Sequence, residues 1–368
     1  MRDPYWDIVK GLGIIAVVAA HAHLYSMQFN WFHLEVFFFV SGFLLNPKKC
    51  TDYGNFSLHK LKTLWKPFVM YNIVFFALND FFMTINWIVT EDTVDDWIAA
   101  HPDYIYNKAV KTFTMMSVWI SIREFPLHII DVIFKGVPAV MCGATWFMAP
   151  FFVNLLLFGY LVKITYNKSA WQLPALLLLF FASGVAIINH SQDLPLYSDM
   201  AMFLLPITAA GFYLKKFCSE KNIHVAEIFS ARPAIGGSIA ALTVFALLEH
   251  EQKFIALAGY KMGNWLIFNV AAFAGIFLTM FAARIILMSN LYTKIFAYIG
   301  KRSFHIMALH FVGFKILTSL YVFFYNGNPV IRSVTTLPEV YGYYYTIFGI
   351  GIPLIFCEVY SKMKRRFL

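Results

Sequence analysis

Apolar runs of membrane-spanning length recur along the whole chain with only short polar hairpins between them, a pattern that predicts transmembrane helices. The runs lie at about Ile8 to Tyr25, Phe32 to Leu45, Leu64 to Trp87, Val137 to Val162, Leu173 to His190, Met200 to Leu214, Pro233 to Leu248, Trp265 to Ile286, Ser303 to Phe324 and Val340 to Tyr360. That makes about ten spans. The shorter ones fall below the roughly 20 residues of a perpendicular span, so polar ends must contribute or the bilayer must thin. The segment from Lys108 to Lys135 is amphipathic and broken by Arg123, Glu124 and Pro126, which predicts a piece that lies along the interface or re-enters. In the first run, Gly11, Gly13, Ala16, Ala19 and Ala20 provide the small surface that lets membrane helices approach closely. We therefore expect an all-α integral membrane protein, with residues 1–368 forming one transmembrane domain.

Composition sharpens this picture. The chain is 60% hydrophobic, 19% aromatic and only 13% charged, against about 25% charged in soluble domains. A net charge of +9 does not indicate nucleic acid, because the basic residues stand in small clusters beside apolar runs, where they set orientation. With ten spans, 21 of the 29 Lys and Arg residues fall on one side, counting Arg2 and Lys10, so both termini are expected in the cytoplasm. Arg2 and Lys10 before an apolar core, with Ala20-His21-Ala22 after it, mimic a signal peptide. A second apolar run after a short hairpin favours retention as a first helix. The acidic stretch Glu91, Asp92, Asp95, Asp96 and Asp103 reads as a solvated outer loop, and Cys50, Cys142, Cys218 and Cys357 match no metal or disulfide spacing. No metal site and no internal repeat is expected.

Against this apolar background the ionisable residues stand out, since such groups are costly in a membrane and by default mark a functional site. From Lys10 to His21 is eleven steps, about 1100°, so both share a helix face about 16 Å apart along the axis, with Asp7 one turn before. His21 is suited to act as a general base on a hydroxyl, with a carboxylate orienting it; a lone buried histidine bonded to a backbone carbonyl is the competing reading. His23 lies about 200° round the helix from His21 and is read as structural. Glu35 opens the apolar stretch Val36 to Val40, either tuning His21 or reaching back to water from the hairpin, and His33 shares that ambiguity. Ser303 and His310 share a face two turns apart, either as helix packing or as the lining of a tunnel. Lys315 is an intramembrane charge without an evident partner, Trp146 reads foremost as a packing aromatic, and Tyr341 with Tyr343 to Tyr345 reads as an interfacial belt.

The order of these residues resembles the acyltransferase type 3 family of transmembrane O-acyltransferases. Asp7-Ile-Val-Lys10 followed by ten residues and His21 is similar to the family's opening motif, and Glu35-Val-Phe37-Phe38-Phe-Val-Ser41-Gly42 is similar to its second. Trp146-Phe147 and Gly300-Lys301-Arg302-Ser303 with His310 resemble later features. The chain departs from the pattern in carrying Lys10 where Arg is usual, which keeps the charge and loses bidentate geometry, and in replacing a basic pair by the spaced Lys60, Lys62 and Lys66. The resemblance implies transfer of an acyl group, usually acetyl from acetyl-CoA, to a hydroxyl of a surface glycan or lipid-linked sugar. It implies His21, Glu35 and Asp7 as catalytic residues and Lys10, Lys62, Lys66, Lys301 and Arg302 as holders of the coenzyme's phosphates. His33, Ser41, Trp146, Ser303 and His310 would contact substrate. The expected setting is a bacterial cytoplasmic membrane, with an acyl-CoA donor, a glycan acceptor and membrane lipids as the partners. A proton-coupled transporter or flippase using Lys10, His21, Glu35 and Lys315 is the alternative, opposed by the missing repeat.

Overall fold

A computed structural model describes residues 3–102, 110–111, 113–190, 194–230, 232–325, 329–337 and 340–367. Arg2, Asp103 and Lys108 lie outside them. Among the described residues the fold is nearly all helical, at 79% helix. The longer helices are α1 (Pro4–His21), α2 (Glu35–Leu44), α3 (Lys66–Ala77), α4 (Met148–Thr165), α5 (Gln172–Asn189), α6 (Leu205–Lys221), α7 (Arg232–His250), α8 (Trp265–Ile286), α9 (Asn290–Lys301), α10 (Ser303–Tyr325) and α11 (Gly342–Phe367).

Among the described residues, six helical stretches are long and apolar enough to cross a membrane, or seven if the bent pair Pro195–Phe203 and Leu205–Lys221 is one span. The first three apolar runs fall outside this set for separate reasons. Asp7, Lys10 and His21 lower the apolarity of α1, α2 has 10 residues, and α3 has 12. Where a continuous third helix is expected from Leu64 to Trp87, a π turn over Leu61–Trp65 leads into α3, and a separate helix, Asn79–Thr84, follows. The segment ending at Lys135 contains a helix, Phe125–Lys135, closed by Gly136 in the left-handed region at φ 77°. Leu127, Ile130 and Phe134 are exposed along it.

The chain packs as two compact units assembled from interleaved segments. The first comprises residues 1–20, 25–66 and 147–303; the second comprises 21–24, 67–146 and 304–368. In the first unit, α2 packs closely on α6 through glycines. A Cβ at Gly42 would overlap the Thr208 carbonyl, and one at Gly211 would overlap that of Phe39. The run predicted as one helix from Met200 to Leu214 bends by 55° before α6. Pro206 causes this, since its ring clashes with a carbonyl one turn back and it has no N–H to donate. Asn154 on α4 stabilises the break: its Nδ2 donates to the Ala201 carbonyl at 2.7 Å and its Oδ1 accepts from Thr208 Oγ1 at 2.7 Å. The amphipathic α9, which the hydrophobic runs did not signal, packs on α1, with Gly300 against the Asp7 carbonyl and Gly11 against that of Phe296.

The second unit answers what Lys315 does. Its fully buried ammonium donates to the carbonyls of Arg332 (3.3 Å), Ser333 and Val334 (3.2 Å). Those carbonyls close a short helix, Pro329–Ser333, whose negative dipole end suits a cation. Lys315→Met would remove the charge and the donor to all three carbonyls; that of Ser333 keeps the Met115 N–H at 2.9 Å, and each buried carbonyl left unsatisfied costs about 1–3 kcal/mol. We expect a clear drop in thermal stability for that variant, and an unchanged melting temperature would refute the cradle. Tyr345 departs from the expected aromatic belt. It is fully buried, its hydroxyl 2.9 Å from Thr318 Oγ1 and 3.0 Å from the Leu337 N–H, while Tyr341, Tyr343 and Tyr344 remain exposed.

Candidate functional site

On α1 the polar stripe folds as the helical spacing requires. Lys10 Nζ pairs with the buried Asp7 carboxylate at 2.8 Å, one turn away, so the first basic group of the motif is already charge-compensated. At the far end of the same helix, the His21 ring stacks on His310, with centroids 5.1 Å apart and planes 22° from parallel, and Phe311 meets it edge-on at 5.4 Å.

His310 is fully buried on α10. Its Nδ1 lies 2.8 Å from the Met307 carbonyl and 3.2 Å from that of Ile306. Carbonyls only accept, so Nδ1 carries the proton and Nε2 keeps a lone pair. That Nε2 is buried with no hydrogen-bond partner among the described residues. Sequence spacing singles out both histidines without linking them, because they lie on helices at opposite ends of the chain. Each is an imidazole within an apolar run, on a face shared with Lys10 in one case and with Ser303 in the other, and neither signal joins the two.

Glu35, in the first turn of α2, is fully buried, and neither carboxylate oxygen has a hydrogen-bond partner among the described residues. A buried, unsatisfied carboxyl is costly and therefore unusual unless it has a task. His33 is explained locally: its Nδ1 donates to the Phe29 carbonyl at 2.7 Å, four residues back. Ser41 is half-buried on α2, and its neighbour Gly42 makes the close approach to α6.

The basic candidates differ in character. Lys62, Lys66 and Lys301 are exposed. Lys60 lies over the Phe56 ring at 5.4 Å, and burial pushes its pKa below the ordinary lysine value. Arg302 lies over the Tyr298 ring with its guanidinium carbon 3.6 Å from the centroid, a cation–π contact. Ser303 begins α10 and is half-buried, and Trp146 is half-buried in the 3-10 turn Val140–Phe147. Asp7, Lys10 and Glu35 belong to the first unit; His21, Trp146 and His310 belong to the second.

Comparison with known families agrees with the motifs. Residues 3–356 match the model of the acyltransferase type 3 family, described as an acyltransferase domain, and the chain belongs to that family. It is an integral membrane acyltransferase. No curated protein and no solved structure matches the chain.

Proposed function

We propose that the protein is an acetyl-CoA-dependent O-acetyltransferase that modifies a hydroxyl of a cell-surface glycan or lipid-linked sugar, in a bacterial cytoplasmic membrane. The observation that carries this reading is the stacked His21–His310 pair at one end of α1, the helix that bears the Asp7–Lys10 ion pair toward its other end. A rise of 1.5 Å per residue puts about 16 Å between Lys10 and His21, a reach suited to a coenzyme whose phosphates and thioester lie far apart. In the proposed topology of ten spans with both termini cytoplasmic, the Lys10 end faces the cytosol. Lys62, Lys66, Lys301 and Arg302 join it there as a basic surface for the coenzyme's phosphates, supported by their charge and by the exposure of the three lysines.

In the proposed reaction, a neutral His21 takes the proton of the acceptor hydroxyl as its oxygen attacks the thioester carbonyl. The tetrahedral intermediate collapses, the C–S bond breaks, and the coenzyme thiolate recovers the proton from the imidazolium. The products are an O-acetyl ester and free coenzyme A. His310 keeps the His21 ring in a fixed plane by stacking, and its own orientation is set by two backbone carbonyls. Asp7 acts through Lys10, and Glu35 is assigned the tuning of the base. Ser41, Trp146, Ser303 and His33 remain proposed substrate contacts.

Purified protein should bind acetyl-CoA by calorimetry and release its thiol; absence of both would overturn the reading and favour a transporter. For Glu35→Gln we expect a large loss of thiol release, on the order of 10²-fold, with acetyl-CoA affinity retained. Unchanged turnover would instead make Glu35 a buried carboxylic acid with a packing role.

A further inference from the structure

The residues that follow His21 wall a second feature. Ala22 and His23, together with Phe113, Thr336, Leu337, Val340, Tyr341 and Gly342, line a cavity of about 320 Å³, all within the second unit. The size is near the lower end of small-molecule pockets, which accommodates one ring rather than an extended chain.

Three observations set this cavity apart from a packing gap. Thr336 is 4% exposed, and its Oγ1 is buried with no hydrogen-bond partner among the described residues. Leaving such a hydroxyl unsatisfied costs about 1–3 kcal/mol, so a ligand hydroxyl or water is its natural complement. His23 is held at φ 57°, in the left-handed region that is uncommon for a non-glycine residue, with its ring 4.3 Å from that of Phe113. Tyr341 is 69% exposed and stacks on Tyr343 at 5.5 Å with planes 10° apart, so a flat aromatic platform borders the opening.

The wall is fixed from behind. Lys315 holds the carbonyls of residues 332–334 just before Thr336, and the Tyr345 hydroxyl accepts from the Leu337 N–H. A Cβ at Gly342 would overlap the Ala22 carbonyl, so the start of α11 lies directly against the turn after His21.

We infer that this cavity is the acceptor subsite and that it takes a single hydroxyl-bearing sugar ring, stacked on Tyr341 and hydrogen-bonded by Thr336 Oγ1 and His23. The inference rests on the acyltransferase reading and deepens it. Sequence position makes the geometry economical, since His21 immediately precedes two residues of the wall. In this proposal a ring anchored there has the proposed base as the residue just before its wall in the chain, and the alkyl or glycan portion leaves through the opening.

The test uses the full chain in nanodiscs with acetyl-CoA, and four probe acceptors: the methyl glycosides of glucose, rhamnose and N-acetylglucosamine, and 1-octanol as a lipid-like alcohol. At least one glycoside should accelerate thiol release above the rate in water. Thr336→Val and Tyr341→Leu should each raise that glycoside's KM about tenfold with the acetyl-CoA KM within twofold of wild type, and Thr336→Ser should restore the Thr336→Val loss. Unchanged glycoside KM in both variants, acceleration by octanol alone, or thiol release indifferent to every glycoside would overturn the subsite. If the protein neither binds acetyl-CoA nor releases thiol, the acyltransferase reading fails instead. In that event saturation-transfer NMR of the same glycosides decides the cavity separately: signals lost in both variants sustain it, and no signal with wild type removes it.

Discussion

Replacing His21 with alanine is expected to lower thiol release from acetyl-CoA by about 10²- to 10⁴-fold, the usual contribution of a general base. The loss should appear in kcat, because in the proposed reaction the residue acts on a proton in transit and not on the coenzyme's phosphates. His21→Phe separates chemistry from packing. Phenylalanine retains a flat ring to stack on His310 and to meet Phe311, yet carries no basic nitrogen. Both variants should therefore lose activity to a similar degree while accumulating normally in membranes. An active His21→Phe protein would show that the ring's shape, and not its basicity, is what the site requires.

Gly42→Ala is expected to destabilise the first unit severely. The added methyl would overlap the Thr208 carbonyl, and that backbone has little freedom to retreat. Thr208 Oγ1 donates to Asn154, and Asn154 in turn holds the Ala201 carbonyl across the bend at Pro206. Overpacking a well-filled contact typically costs about 1–3 kcal/mol, and more when backbone must shift. A loss of that size changes the folded-to-unfolded ratio by roughly 5- to 150-fold. Thermal unfolding in detergent should show it, with Gly54→Ala as the control, since a Cβ there meets only Asp52 at 3.8 Å. If Gly42→Ala melts with wild type, the close approach of α2 and α6 is not a constraint.

Long apolar runs transmitted most of the fold. Trp265–Ile286 has the bounds its hydropathy predicts, and α5, α7, α10 and α11 differ from expectation only at their ends. Misreadings concentrate where polar residues or proline interrupt an apolar run. Asn79, which opens the separate helix after α3, and Pro206 sit inside stretches read as continuous, and hydropathy averages over such positions while the backbone cannot. Asn72 Oδ1 accepts from the Ala139 N–H at 2.7 Å, a contact that no local pattern encodes.

The candidate site was legible by residue type and opaque by partnership. Helical period alone gives the Asp7–Lys10 pair. The His21–His310 stack and the three carbonyls around Lys315 depend on which distant segments meet. Gly42 shows a different gap. Its place in a signature beside Ser41 invites a chemical role, whereas its missing side chain is what lets two helices touch.

Interleaving of the two units bears on how the protein is made. The second unit takes its first residues from 21–24 and its last helices from 304–368, so during synthesis His21 leaves the ribosome long before His310. Until α10 follows, the imidazole that ends α1 lacks its stacking partner. On the proposed assignment the emerging chain holds an unfinished centre through most of translation, and activity is expected only with the closing helices. Reporter fusions at successive lengths, a common way to map membrane orientation, should accordingly be catalytically silent at every junction before residue 310.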